Sequence, residues 1–320
     1  MSADALLAEL RSDVSPERSA PVRVTLDRRL DPPPREAVDR LVSLPFVVVG
    51  STRGDVDPAW LDLCDVALAE DDPLFDWVEE NLVARPIAAT TLALLLRAAL
   101  RRTVADGLVA ESAAYSVLQS GPEFAAWRAA NPPRTDHDDG PRVHVEHADS
   151  TLVITLTRPD RLNALDAQMR DELVDALALA AADPGVTSVE WRGEGRSFCA
   201  GGDLDEFGSR PDPASAHLVR LQRSVGRALA QLEKPTVTYL HGPCMGSGIE
   251  LAAFTGTVVG APDTTLALPE IGLGLVPGAG GTVSLTRRIG RLHTALLAFS
   301  AEPIDVRTAK EWGLVDRIEP

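Results

Sequence analysis

The sequence predicts an α/β protein, and three observations carry that prediction. Between residues 143 and 156, Val143 and Val145, then Leu152, Ile154 and Leu156, alternate with polar neighbours, the period of two that marks strands. Over 164–182 the apolar spacing lengthens to Leu165, Met169, Leu173, Leu177 and Ala181, as on one face of a helix. Short strands at 186–191 and 236–240 then flank a helical stretch at 214–232. Strands alternating with helices predict the α/β class.

The elements divide the chain into two unequal parts. Residues 84–130 are helical, with apolar stripes through Leu92, Leu95, Leu96, Leu100, Val104 and Leu108. Asp106-Gly107 reads as a turn, followed by a helix from Val109 to Trp127 broken at Gly121-Pro122. Residues 131–142, NPPRTDHDDGPR, combine prolines, a glycine and a charge cluster, and read as a linker. The expected organisation is a smaller, mostly helical α/β segment at 1–130 and a main unit at 143–320. The helix at 164–182 closes at Asp183-Pro184-Gly185.

Composition narrows the function classes. The chain has 320 residues, 45% hydrophobic and 24% charged, with a net charge of −16, which suits a globular protein and not a disordered or collagen-like one. A nucleic-acid-binding protein carries a basic footprint, so no nucleic-acid partner is expected. Three cysteines, Cys64, Cys199 and Cys244, make neither a disulfide framework nor a zinc site. The N-terminal residues MSADALLAELRSD lack a basic and an apolar signal region. No apolar run approaches the roughly 20 residues of a membrane span. The expectation is a cytoplasmic protein with no membrane partner and no metal.

Three glycine-containing segments follow predicted strands: Ser197–Leu204 (SFCAGGDL), His241–Leu251 (HGPCMGSGIEL) and Leu268–Thr282 (LPEIGLGLVPGAGGT). Taken singly, each reads as a turn. None fits a nucleotide-binding fingerprint, and Met245 breaks the G-x-S-x-G pattern around Ser247, so a serine-hydrolase elbow is unsupported. Together they say more. Gly246-Ser247-Gly248 stands where a strand turns into a helix, whose first N–H groups are unpaired and lie at the positive dipole end. A second N–H from Gly201-Gly202 would complete a two-donor oxyanion hole. Glu250 follows one helical turn later, and Glu270 is a lone carboxylate in an apolar stretch, where it needs a partner or a function. Two carboxylates beside such a hole suit proton transfer or water addition next to a carbonyl.

These motifs resemble the crotonase, or enoyl-CoA hydratase/isomerase, superfamily over residues 143–320. Thr157–Leu165 (TRPDRLNAL), the three segments above and Ala309–Asp316 (AKEWGLVD) carry the likeness. The resemblance implies a crotonase-like ββα superhelix. It implies an oxyanion hole at Gly202 and Ser247, and Glu250 and Glu270 as the catalytic pair. It places Arg161, Leu162, Ala164, Ala200, Gly201, Asp203, Leu204, Gly246, Pro269 and Gly278 against the substrate. It further implies an acyl-CoA thioester as substrate, no separate cofactor and a homo-oligomer, trimer or hexamer. The implied reaction is syn hydration of a trans-2-enoyl-CoA. An isomerase or other enolate-forming acyl-CoA enzyme, and a non-catalytic acyl-CoA-binding scaffold, are the alternatives.

The sequence departs from the family pattern in places. Ser247 stands where glycine is frequent, Phe254-Thr255 where a Cys-Asp pair is usual, and little sequence follows the AKEWGLVD motif. The helices that usually cover the acyl pocket are looked for at 84–130 instead. Residues 45–65 also align without gaps on 235–255 at a constant offset of 190, which suggests a shortened, non-catalytic crotonase-like remnant. In that alignment Trp60 falls opposite Glu250. His241 is expected to make a structural hydrogen bond, and Cys199 and Cys244 to be small buried hydrophobes. Arg287, Arg288 and Arg291 read as a solvated helix face rather than a phosphate site.

Overall fold

The computed structural model describes residues 1–11, 20–42, 44–134, 140–209 and 212–319. Its first half runs α1 (Ala3–Arg11), β1 (Val22–Asp27), α2 (Arg35–Leu41), β2 (Val48–Arg53), α3 (Pro58–Leu61) and β3 (Val66–Ala69). The three strands form a parallel sheet in that order. Because successive side chains point to opposite faces, Phe46 and Val48 join Leu6, Leu41, Trp60 and Leu63 in a small outer core. Val47, Val49, Val66 and Leu68 turn the other way into the main core. Asp65 anchors the sheet, taking Arg97 Nη2 at 2.6 Å and the Val48 amide at 2.8 Å. Four helices follow: α4 (Leu74–Ala84), α5 (Pro86–Ala99), α6 (Val104–Gln119) and α7 (Pro122–Ala130).

The second half begins with β4 (Val143–Ala148), β5 (Thr151–Leu156), α8 (Ala167–Ala182) and β6 (Ser188–Gly193). It continues through α9 (Pro213–Gln222), α10 (Val225–Gln231), β7 (Thr236–Leu240), β8 (Pro243–Met245), α11 (Ser247–Ala252), β9 (Thr257–Gly260) and β10 (Thr265–Ala267). A 3-10 turn (Glu270–Leu273) leads to α12 (Gly281–Ser300), β11 (Ile304–Asp305), α13 (Val306–Glu311) and β12 (Arg317–Ile318). Six strands form one sheet in the order β12-β9-β7-β6-β5-β4, with β4 alone antiparallel to its neighbour. A second sheet, β11-β10-β8, stands beside it. The expected α/β class and the strand pair at 143–156 are as read from the sequence.

Helix α12 joins the halves. It packs on α4, α5, α6 and β3, and the main core contains residues from Val47 to Val315. Asn81 Nδ2 donates to the carbonyls of Phe299 and Ser300 at 3.0 Å, satisfying the last turn of α12. The Asp106-Gly107 pair is helical and lies inside α6. A Cβ on Gly107 would sit 2.7 Å from Val283 Cγ2, so the glycine serves the close approach of α6 to α12 and makes no turn. The 214–232 stretch is two helices, with Ser224 capping the second.

Of the α12 arginines Arg287 is exposed, as a solvated face requires, while Arg288 and Arg291 are half-buried and bonded within the protein. Arg288 donates to the carbonyls of Leu314 and Thr255 and pairs with Asp316, while Arg291 donates to Cys64 and Asp62 in the first half. Residues 135–139 of the expected linker lie outside the described residues. Its far end is held tightly, with Arg142 buried and Nε 2.8 Å from Asp166. Among the described residues no single helix is long and apolar enough to cross a membrane; α4 and α5 together pass a length test but are bent by 109°.

The halves also share an order. Helix, strand, short helix and strand recur as α2-β2-α3-β3 and α10-β7-α11-β9, the second with the extra strand β8 between β7 and α11. Helix α2 matches α10 at the offset of 190 at both ends. The strand register does not keep it: Val49 pairs with Val66, whereas Tyr239 pairs with Val259. The connection in the first half is three residues shorter, so the gapless alignment fails at the strand pairing. Trp60 is buried, and its indole donates to the Asp31 carbonyl at 3.0 Å.

Candidate active site

Two tight loops meet at the centre of the second half. Gly201 has φ +103° and Gly246 φ +47°, both in the region that glycine enters without a Cβ penalty. The loops pack backbone to backbone: the Met245 amide donates to the Cys199 carbonyl at 3.1 Å. A Cβ on Gly248 would collide with the same carbonyl, and one on Gly246 with Glu270 Oε1. The N–H groups of Gly202 and Ser247 donate to no carbonyl among the described residues. Ser247 is the first residue of α11, so its N–H is one of the helix's orphan donors.

Glu250 stands one turn into α11 and is 2% exposed. Its Oε2 accepts the amides of Ala279 and Gly281, each at 2.8 Å. The intervening amides go to a third carboxylate. Glu111, on α6 of the first half and 2% exposed, accepts the Gly280 amide at 2.7 Å, the Thr282 amide at 2.8 Å and the Thr282 hydroxyl at 2.6 Å. Two carboxylates thus hold alternate N–H groups of residues 279–282, the positive end of α12. Burial pushes Glu250 up to about 7 against the backbone bonds that draw it down. Burial, and then the neighbouring Glu250 charge, push Glu111 up to about 8.

Glu270 opens the 3-10 turn and is buried. Its Oε2 has no hydrogen-bond partner in the protein. Burial first, and the Glu250 charge second, hold this carboxyl well above the usual carboxylate range. An unpaired buried carboxyl oxygen is costly and marks a place where a ligand or a proton is expected.

Gly202, Ser247, Glu250, Glu270 and Gly278 line one cavity of about 400 Å³. Its other wall comes from the first half, where Leu108, Tyr115 and Phe124 face it. A Cβ on Gly278 would lie 2.6 Å from the Tyr115 ring, so the glycine lets α6 close over the turn. Helices of the 84–130 segment therefore cover the cavity that the second half forms.

The remaining expected substrate residues fall into two groups. Asp203 lines the cavity, but its carboxylate is engaged by Arg158 Nη1 at 2.6 Å and the Asp205 amide at 3.0 Å. It therefore braces the loop and does not offer itself to a ligand. Arg161, Leu162, Ala164, Ala200, Gly201, Leu204, Gly246 and Pro269 lie outside the cavity lining. Three of them brace the loop behind Gly202: the Ala200 amide donates to Leu162 and the Leu165 amide to Gly201, at 2.9 and 2.8 Å. Leu162 and Asn163 both take left-handed backbone, locked where Asn163 bonds Arg158, Glu194 and Ser197. His241 Nε2 lies 3.1 Å from the Gly195 carbonyl, the structural bond expected. Cys199 and Cys244 are buried, with thiols pushed up to about 11 and about 12 by burial. Among the described residues no group of three His, Cys, Asp or Glu side chains is placed to hold a metal ion.

Glu111 and Tyr115 were not singled out by the motifs. A signal existed: Leu108, Glu111, Tyr115 and Leu118 fall on one helical face. A charge on an otherwise apolar stripe asks for a buried partner.

Residues 146–320 match the family model described as enoyl-CoA hydratase/isomerase. The chain is 34% identical over 176 residues to 2,3-dehydroadipyl-CoA hydratase of Escherichia coli, covering 55% of this chain and 68% of that protein. It is 36% identical over 164 residues to a probable enoyl-CoA hydratase of Bacillus subtilis, covering 51% and 63%. It is also 34% identical over 177 residues to 1,2-epoxyphenylacetyl-CoA isomerase of Escherichia coli, covering 54% and 66%. The chain thus spans about two thirds of the length of these relatives. Among solved structures, an enoyl-CoA hydratase from Bacillus anthracis superposes with a TM-score of 0.52 at 30% identity, over 56% of this chain and 70% of that one. An enoyl-CoA hydratase from Thermoplasma volcanium gives 0.51 at 32% identity, over 56% and 72%.

Proposed function

The chain belongs to the enoyl-CoA hydratase/isomerase family, and from that premise we propose that it adds water to a trans-2-enoyl-CoA. One observation carries the choice of hydration: Glu250 and Glu270 open on the same cavity as the free Gly202 and Ser247 amides. A scaffold has no use for two buried carboxyls there.

The two amides receive the thioester oxygen and stabilise the enolate charge that develops on it. Glu250, with Oε2 fixed by two backbone bonds, keeps Oε1 for a water, takes a proton from it and directs its oxygen to C3. Glu270 gives its proton to C2. Burial and the Glu250 charge both raise the Glu270 pKa, which suits it to hold the proton that an acid gives. Removing one oxyanion donor from other enzymes costs about 3–4 kcal/mol, so the hole carries a large share of the barrier reduction.

We read the first half as a shortened, non-catalytic relative of the second, whose helices complete the pocket. The shared element order and the buried Trp60 in the place of Glu250 support that reading. We also propose a homo-oligomer, checked by sedimentation.

Turnover of crotonyl-CoA in heavy-oxygen, deuterated water tests the reaction. Hydration puts one labelled oxygen at C3 and one deuteron at C2. Double-bond migration without labelled oxygen assigns an isomerase instead, and binding without turnover across a panel of enoyl-CoA thioesters overturns catalysis.

A further inference from the structure

Three arginines line the cavity: Arg170, Arg220 and Arg223. Arg170 pairs with Asp171 at 2.7 Å, and Arg223 with Asp171 at 3.2 Å and Asp175 at 2.7 Å. Arg220 differs. It projects from α9 and donates from Nε to Ser112 Oγ at 3.1 Å, and from Nη2 to the Ser112 carbonyl at 3.3 Å and to Ser116 Oγ. These partners are all neutral. Among the described residues no carboxylate oxygen lies within ion-pair distance of it. Glu111, the acidic residue nearest in the sequence of α6, spends its oxygens on Gly280 and Thr282.

The guanidinium is held in place. It lies 4.8 Å above the Tyr115 ring centroid. Ser112 Oγ is 2.9 Å from His217 Nδ1, and Ser116 Oγ donates to the Pro213 carbonyl at 2.8 Å. Nε and Nη2 are engaged in this network. Nη1 has no hydrogen-bond partner among the described residues and is the donor left for a ligand in the cavity that Arg220 lines. Tyr115 separates Arg220 from the catalytic turn, touching Gly278 while Arg220 covers its ring. Arg220 thus lines the same cavity as the Glu250–Glu270 pair, with the Tyr115 ring against it.

We propose that Arg220 is a specificity-determining residue that binds an anionic far end of the acyl chain, so that the preferred substrate class is a carboxyl-terminated enoyl-CoA. A partly desolvated cation without a counter-ion is costly, and a methylene chain laid against it leaves that cost in place. A carboxylate removes it and gains charge-assisted hydrogen bonds from a fixed planar group. The assignment rests on the acyl-CoA reading above.

Binding of non-reacting saturated thioesters tests it without requiring turnover. Isothermal titration of the full chain with adipyl-CoA and with hexanoyl-CoA compares equal chain lengths with and without the terminal carboxylate. Adipyl-CoA is expected to bind at least tenfold tighter, the gain of one charge-assisted bond. In Arg220→Gln the ratio is expected to fall to about one, and in Arg220→Lys to keep part of the preference. Equal or weaker binding of adipyl-CoA by the native protein overturns the proposal whatever the variants do. So does an Arg220→Gln loss shared by both thioesters and by free coenzyme A, which would place Arg220 on the coenzyme's phosphates. If neither thioester binds, the acyl-CoA reading itself fails.

Discussion

Replacing Glu111 with alanine removes the acceptor for three donors at once: the Gly280 amide, the Thr282 amide and the Thr282 hydroxyl. Each buried donor left unpaired costs about 1–3 kcal/mol. Water entering the vacated space recovers part of this, so the net loss expected is about 3 kcal/mol, a large share of an ordinary domain's stability. The damage also reaches Glu250, because the amides that Glu111 holds alternate with the two that fix Glu250 Oε2. A shift of about 1 Å there is worth roughly a hundredfold in rate. Glu111→Gln separates charge from packing. Its amide oxygen can keep the Thr282 donors while its NH2 is left facing the Gly280 amide, and the like charge that helps raise Glu270 is gone. The Glu270 carboxyl then ionises more readily, and the alkaline limb of kcat, where the general acid is lost, moves to lower pH. Thermal unfolding and a pH profile of kcat measure the two effects. Native-like melting and turnover in Glu111→Ala would refute the argument, as would an unmoved limb in a folded Glu111→Gln.

Further outcomes follow from the same geometry. Glu250→Gln and Glu270→Gln should each lower kcat by about 10²–10⁴-fold with smaller changes in KM, read from steady-state hydration. Gly246→Ala should disturb both the φ +47° backbone and Glu270, whose Oε1 occupies the space of the new methyl, lowering kcat at least as much as Glu270→Gln does in the same assay. Residues 143–320 expressed alone should be poorly soluble and inactive, since α12 loses its cover by α4, α5 and α6. A soluble, fully active fragment would overturn the reading of the first half. The folded state holds Glu111 and Glu250 above their unfolded pKa, so their contribution to stability is full below about pH 4.5 and is lost as pH rises through about 7–8. Melting temperatures of native protein and Glu111→Gln should therefore diverge across that window.

Much of the site was legible because its chemistry sits in short segments. Gly201-Gly202, Gly246 to Glu250, and Glu270 are each fixed by neighbours in sequence, and strand-to-helix turns need glycine wherever they occur. What escaped depends on contacts between distant segments. Asp106-Gly107 has the chemistry of a turn, yet it is helical because α12 must approach α6 where a side chain would collide with Val283. Glu111 looked like one more charge among 24 acidic residues in positions 1–140. Only its place on the Leu108–Tyr115 face, and the alternate amides 169 and 171 residues later in the chain, give it a role. Arg288 and Arg291 of α12 escaped for the same reason, since their acceptors are carbonyls at Cys64, Asp62, Thr255 and Leu314.

The chain order of the parts matters less than the electrostatics of one helix terminus. The turn that enters helix α12, residues 279–282, presents four consecutive N–H groups without a backbone partner. Glu250, from the same half, takes two of them and Glu111, from the other half, takes a third and a fourth. Neither carboxylate alone satisfies the turn, and neither is satisfied without it. A helix that precedes the second half by some 30 residues can therefore complete its pocket as well as one that follows it, provided it delivers a carboxylate, an aromatic ring for the Gly278 gap and an apolar stripe to α12. Residues 104–119 carry all three: Glu111, Tyr115, and Leu108 with Leu118. The same dependence ties the ionisation of Glu250 to the folding of the first half, so loss of α6 should silence the chemistry before it unfolds the sheet.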